Sequence, residues 1–186
     1  KAEACNTIDM GKARTVGDIF QMQGVRNANL LARTSKLLYI WQFKFEELAS
    51  KRQFTKEIMN VAPQQVYDFY IKHKVEIDHS RQEFRKNSDI IISTRAAVLA
   101  FIFSVLEKID ADRCYVFITS FVTGRIKNDW PYMVKVRDAL MSRNRKMRFT
   151  EGEIISIMFG LWNVIYNQAT EQQVENITLN IPLELM

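Results

Sequence analysis

Helix-start signals recur along this chain, each in front of apolar residues at helical spacing. Thr150-Glu151-Gly152-Glu153 is a capping box, in which the Thr hydroxyl and the Glu carboxylate each satisfy an orphan backbone N–H. Thr15-Val16-Gly17-Asp18 repeats the pattern, with an acid at the positive helix end. Asp129-Trp130-Pro131 sets an Asp cap ahead of a proline, and Pro63 suits a first helical turn, where its missing N–H costs nothing. Against these starts stand only six glycines and three prolines in 186 residues, too few turn formers for a sandwich or barrel. The pattern predicts an all-α single domain of about seven to eight helices.

Val16 to Gly24 reads as a short helix closed by its glycine. One helix is expected from Asn29 to about Lys51, with Trp41, Phe45 and Leu48 at helical spacing. Phe54–Asn60 reads as a short helix led by Thr55. Val66, Phe69, Tyr70 and His73 share a stripe, and Glu76–Lys86 is charged with Phe84 as anchor. Ser93 or Thr94 heads an apolar core helix running to about Lys108. Its apolar stretch, Ala96–Leu106, falls short of the ~20 residues a membrane span needs. Arg113–Thr123 is rich in β-formers. Asp110 or Asp112 before it and Gly124 after it favour helix. The last long helix runs from Glu151 to about Asn167, with Ile154, Met158, Leu161, Trp162 and Ile165 buried.

The tail changes period. Ile177, Leu179, Ile181, Leu183 and Leu185 alternate with Thr178, Asn180, Pro182 and Glu184. Period two means an extended arm. Such an arm needs an edge to pair with, in another domain or in a neighbouring copy, which makes a homo-oligomer through the arm one expectation. The chain therefore divides into a junction (1–14), a helical domain (15–168), and a short helix with the extended arm (169–186).

Common catalytic signatures are missing. No Gly-rich phosphate loop and no His-Glu-x-x-His or Asp-rich metal loop occurs. His73 and His79 sit in a polar stretch and read as solvated or partly packed. Cys5 and Cys114 make no metal or redox pair, which fits a reduced cytoplasmic protein. Neither Glu46 with Glu47, Asp110 with Asp112, nor Ser93 and Ser104 implies an acid–base or nucleophilic pair. No catalytic residue and no metal ligand is assigned. A sequon at Asn176-Ile177-Thr178 matters only in a secreted chain.

Two clusters could hold an anion. The net charge is +5, and Lys135, Arg137, Arg143, Arg145, Lys146 and Arg148 face only Asp138 between Met133 and Arg148. Such a stretch either grips nucleic-acid phosphates or is a solvated turn with cations at a helix C-terminus. Arg125 and Lys127 extend it if the fold brings them near. The second cluster is Asp9-x-Gly11-x-x-Arg14-Thr15, followed by Asp18. An arginine beside a helix N-terminus makes a phosphate or nucleotide pocket. Alternatively, Asp9 pairs with Arg14 and pins the junction.

Thr7-Ile8-Asp9-Met10-Gly11-Lys12-Ala13-Arg14-Thr15-Val16-Gly17-Asp18 resembles the segment following the ParB/sulfiredoxin-like domain in a group of phage and bacterial proteins. Those proteins carry an Asp-Gly-x-His-Arg type motif in that domain. The family pattern is Asp-Thr-Gly, two residues, Arg-Thr and a nearby Asp. Asp9, Gly11, Arg14, Thr15 and Asp18 match it, and Met10 replaces the Thr. Phe121-Val122-Thr123-Gly124 resembles the family's segment ending in Thr-Gly. Pro131 with Val136-Arg137-Asp138-Ala139-Leu140 resembles its Pro…Leu-Arg-x-x-Leu. Gly160-Leu161-Trp162-Asn163 resembles its Lys-Ala-Trp-Asn, without the Lys-Ala pair. The resemblance spans about Asp9 to Asn167. It implies a C-terminal helical domain of a longer protein, non-catalytic alone, with an upstream ParB/sulfiredoxin-like domain as partner. A nucleotide held with that domain is the implied cofactor, and DNA an implied partner.

Overall fold

A computed structural model describes residues 13–87, 95–141, 149–175 and 178–186. Among them are eleven α-helices, a final 3₁₀ turn at Leu183–Leu185, and no strand. The all-α reading holds. The helix number exceeds the expected seven or eight, and one continuous-looking stretch, Asn29 to Lys51, is divided at Lys44.

Helix α1 (Val16–Met22) starts on Thr15 with both capping-box bonds formed. Its Val16 and Phe20 meet Leu31 and Ala32 of α2 (Ala28–Phe43) in a small satellite core. The expected single helix to Lys51 stops at Phe43, and α3 (Phe45–Lys51) follows. Lys44, between them, has φ −124° and ψ 22°. The break has a cause outside the helix itself. The Lys44 ammonium donates to the carbonyls of Glu57, Ile58 and Asn60 at 3.1–3.3 Å, around the end of α4 (Lys56–Met59). Thr55 caps α4 at Ile58 N, as its sequence suggests.

α5 (Pro63–Lys72) adds Val66, Phe69 and Tyr70 to the satellite core, and α6 (Lys74–Asn87) adds Ile77. At the centre lies α7 (Ala96–Ile109), buried continuously from Ala97 to Leu106. It packs against α2, α6, α8 and α10. α8 (Ala111–Thr123) resolves the ambiguous β-rich stretch as helix. Asp110 accepts from Arg113 N at 3.0 Å, and Gly124 closes the helix at φ 73°, a left-handed value that suits glycine. Cys114, Phe117, Ile118, Phe121 and Val122 make one buried stripe, which outweighs β propensity. α9 (Pro131–Met141), α10 (Glu151–Tyr166) and α11 (Glu171–Val174) complete the bundle. The capping box predicted at Thr150 and Glu153 is formed, with bonds of 3.2 and 2.6 Å.

Three helices share a direction. Thr34 Oγ1 donates to Ala97 O at 3.0 Å, and Trp41 lies 5.7 Å from Phe101, so α2 and α7 run together. Arg33 pairs with Glu151, and Trp41 lies 5.3 Å from Phe159, so α10 follows them. One end of the bundle therefore gathers the N-terminal parts of α7 and α10. Among the described residues, no helix is long and apolar enough to cross a membrane.

The C-terminal arm is extended, and its register differs from an edge strand. Leu179 and Ile181 are buried in the core of their own chain. α10 supplies the partners that a sheet edge would have given. Ser156 Oγ donates to Thr178 O at 2.9 Å and accepts from Asn180 N at 2.9 Å. Asn163 Nδ2 donates to Ile181 O at 2.8 Å, and Asn163 Oδ1 accepts from Leu183 N at 2.9 Å. Leu179 N donates to Arg52 O at 2.7 Å. The expectation of a foreign edge is thus corrected over Thr178–Leu183, because polar side chains of the same chain satisfy the arm's backbone. Beyond Pro182 the chain turns, and Leu183 and Leu185 are exposed. Ile177 lies outside the described residues.

Candidate functional site

The two predicted anion clusters fare differently. In the N-terminal one, Asp9 lies outside the described residues, and Arg14 is exposed just ahead of α1. Thr15 Oγ1 accepts from Asp18 N at 3.2 Å, and Asp18 Oδ2 accepts from Thr15 N at 2.7 Å. Both side chains take part in starting the helix as a capping box. Of the four predicted anion residues, Arg14 alone presents a cationic donor.

In the basic cluster, Arg143, Arg145, Lys146 and Arg148 lie outside the described residues. Arg137 is described, and it has a packing task. Its Nε donates at 2.7 Å to Phe121 O, a carbonyl in the last turn of α8. Its guanidinium also lies across Gly124, where an added Cβ would sit 3.0 Å from Cζ. Arg137 therefore packs across the end of α8, and its Nη2 is buried with no hydrogen-bond partner among the described residues. Lys127 lies 5.0 Å over the Trp130 ring, and Trp130 packs on Tyr166 at the C-terminal end of α10. That is the opposite end from Thr150, so Lys127 does not extend the patch.

The flanks of the 142–148 segment are informative. Leu140 and Phe149, on either side of it in sequence, line one groove. Beside Phe149 lies Arg95, whose guanidinium carbon is 6.0 Å from the centre of that ring. Burial lowers the Arg95 pKa from its ordinary value, the direction expected when a cation loses water. Its Nη1 is buried, with no hydrogen-bond partner among the described residues. The positive ends of the α7 and α10 dipoles point the same way. Arg33 is half-exposed there and is neutralised by Glu151 through Nε at 2.8 Å and through Nη2. Arg95 had no signal in the sequence. It is a single arginine after Ser93-Thr94, and only the fold sets it beside Phe149.

Other titratable groups offer less chemistry. His79 Nε2 meets Glu107 Oε1 at 3.0 Å on the surface, and the His73 ring lies 4.4 Å from that of Phe69. No group of His, Cys, Asp and Glu among the described residues could hold a metal ion. Cys114 is fully buried, and burial pushes its thiol well above the ordinary range, which disfavours the reactive thiolate. Cys5 lies outside the described residues.

Neither a family model, nor a curated protein, nor a solved structure matches this chain. One of the motifs carrying the resemblance has a local explanation. In Gly160-Leu161-Trp162-Asn163, Trp162 Nε1 donates to Glu184 and Asn163 holds Ile181 and Leu183, so the motif seats the arm.

Proposed function

We propose that this chain is a non-catalytic accessory helical domain of a cytoplasmic, ParB/sulfiredoxin-like, nucleotide- or DNA-associated protein. It contacts nucleic-acid phosphates through the end of the bundle that carries Arg95. The observation carrying this reading is the Arg95 guanidinium, held on Phe149 with a buried nitrogen unpartnered among the described residues. Phe149 immediately follows Arg143, Arg145, Lys146 and Arg148 in the sequence. A buried guanidinium nitrogen with no partner among the described residues, beside aligned helix N-termini, favours an anion, and a run of arginines favours many anions in a row. Arg14, exposed ahead of α1, serves the junction with the upstream domain in the same proposal.

Photo-crosslinking of the protein to labelled duplex DNA, followed by peptide mapping, tests the assignment. Crosslinks confined to peptides spanning 142–149 and the start of α7 are expected. Crosslinks concentrated on α5 and α6 would overturn it. The rival reading, assembly through the arm, has less support because the arm's buried residues lie in their own chain.

A further inference from the structure

A second site lies at the other end of α7, whose length of 14 residues puts it about 20 Å from Arg95. There a cleft of about 610 Å³ opens between α2, the α5–α6 junction, the last turns of α7 and the C-terminal turn. Its size falls within the roughly 300–1,000 Å³ of small-molecule sites. Trp41, Phe69, Ile77 and Ile109 give it apolar and aromatic walls.

The charges at the mouth are unequal. Glu76 has a cation of its own, Lys108 Nζ at 3.3 Å, and His73 Nδ1 lies 4.0 Å from it. Glu184 does not. Its two oxygens share the single N–H of Trp162, at 3.0 and 3.2 Å, and indole is neutral. No cation pairs with Glu184 among the described residues. A carboxylate has about four acceptor sites, so most of this one's capacity is open. We infer that this cleft binds a small organic monocation, an ammonium group carried on an apolar body. The ammonium meets the Glu184 carboxylate beside the Trp41 ring, and the body fills the walls. An aromatic face attracts a cation through its ring quadrupole. An anion is disfavoured, because Lys108 is committed to Glu76 and the Glu184 carboxylate remains.

Glu184 and Leu185 belong to the arm, so the cleft is complete only while the arm is seated. A ligand that binds the completed cleft must therefore stabilise the seated arm by the same differential free energy. The site does not depend on the nucleic-acid reading.

Calorimetric titration of the full chain tests this, with phenethylammonium as cation and propylbenzene as its uncharged isostere. Saturable binding of the cation is expected, at least about tenfold tighter than the isostere, or 1.4 kcal/mol. Glu184→Gln keeps an acceptor for Trp162 and should weaken the cation about tenfold. Lys108→Gln frees Glu76 and should tighten it. Unchanged arm protection in hydrogen exchange establishes that Glu184→Gln is folded. Equal binding of the two probes, an unchanged affinity in Glu184→Gln, or no cation binding would each overturn the inference.

Discussion

Replacing Gly160 by Ala separates a seated arm from a loose one by the sign of the stability change. In the middle of an exposed helix this substitution stabilises by about 1 kcal/mol, because alanine loses less backbone entropy. Gly160 is not exposed. An added Cβ would lie 2.8 Å from Asn180 Nδ2, 3.2 Å from Asn180 Cγ and 3.1 Å from Val174 Cγ2. Asn180 cannot withdraw freely, since Nδ2 donates to Ser156 O at 3.1 Å and Ser156 Oγ at 3.2 Å. Overpacking of this kind costs about 1–3 kcal/mol. Each hydrogen bond lost adds about 0.5–1.5 kcal/mol. Set against the helix gain, the net effect is a destabilisation of about 1–3 kcal/mol. Urea unfolding should show a lower midpoint with an unchanged slope. Asn180→Ala removes the obstructing amide, so Gly160→Ala should cost less in that background than in the wild type. A Gly160→Ala protein as stable as wild type or more so would refute the seated arm.

Thr150→Ala should cost about 1 kcal/mol in the same assay, because it removes the acceptor for Glu153 N at the head of α10. Tyr70 and Tyr166 are pushed up to about 12, mainly by burial, from an ordinary value near 10. A raised phenol pKa means the folded state holds the proton more tightly. The stability it contributes is full below about pH 10 and lost as pH rises through about 12. Ultraviolet absorbance should show these two tyrosinates forming only together with unfolding. Cys114 should resist alkylation in the native protein and react in urea, as read by mass spectrometry of its peptide; rapid native labelling would contradict its burial.

Much of the helical architecture was legible because its signals are local. A capping box such as Thr150 with Glu153 needs only neighbours in sequence to work, and so does the pairing of Asp110 with Gly124 around a doubtful helix. Other features depend on residues far along the chain. The break at Lys44 exists because its ammonium reaches the end of α4, which no helical period records. The alternation from Ile177 to Leu185 predicted an extended arm, whereas Leu183–Leu185 forms a 3₁₀ turn. It gave no hint that Ser156 and Asn163, two turns apart on one face of α10, would replace a sheet edge. The site was harder still. Thr15 and Asp18 carry the same residue types whether they cap a helix or hold a phosphate. Arg137 looks like its basic neighbours until Phe121 O appears beside it. Arg95 becomes notable only once Phe149 is packed against it.

The central claim is that the Arg95 end of the bundle binds nucleic-acid phosphates. The salt dependence of duplex DNA binding tests it most directly, for wild type and for Arg143→Ala/Arg145→Ala/Arg148→Ala. The account predicts a linear fall of log affinity with log salt, and a slope smaller by about 1 for each arginine that touches a phosphate. A triple variant with the wild-type slope, or binding indifferent to salt, would contradict it.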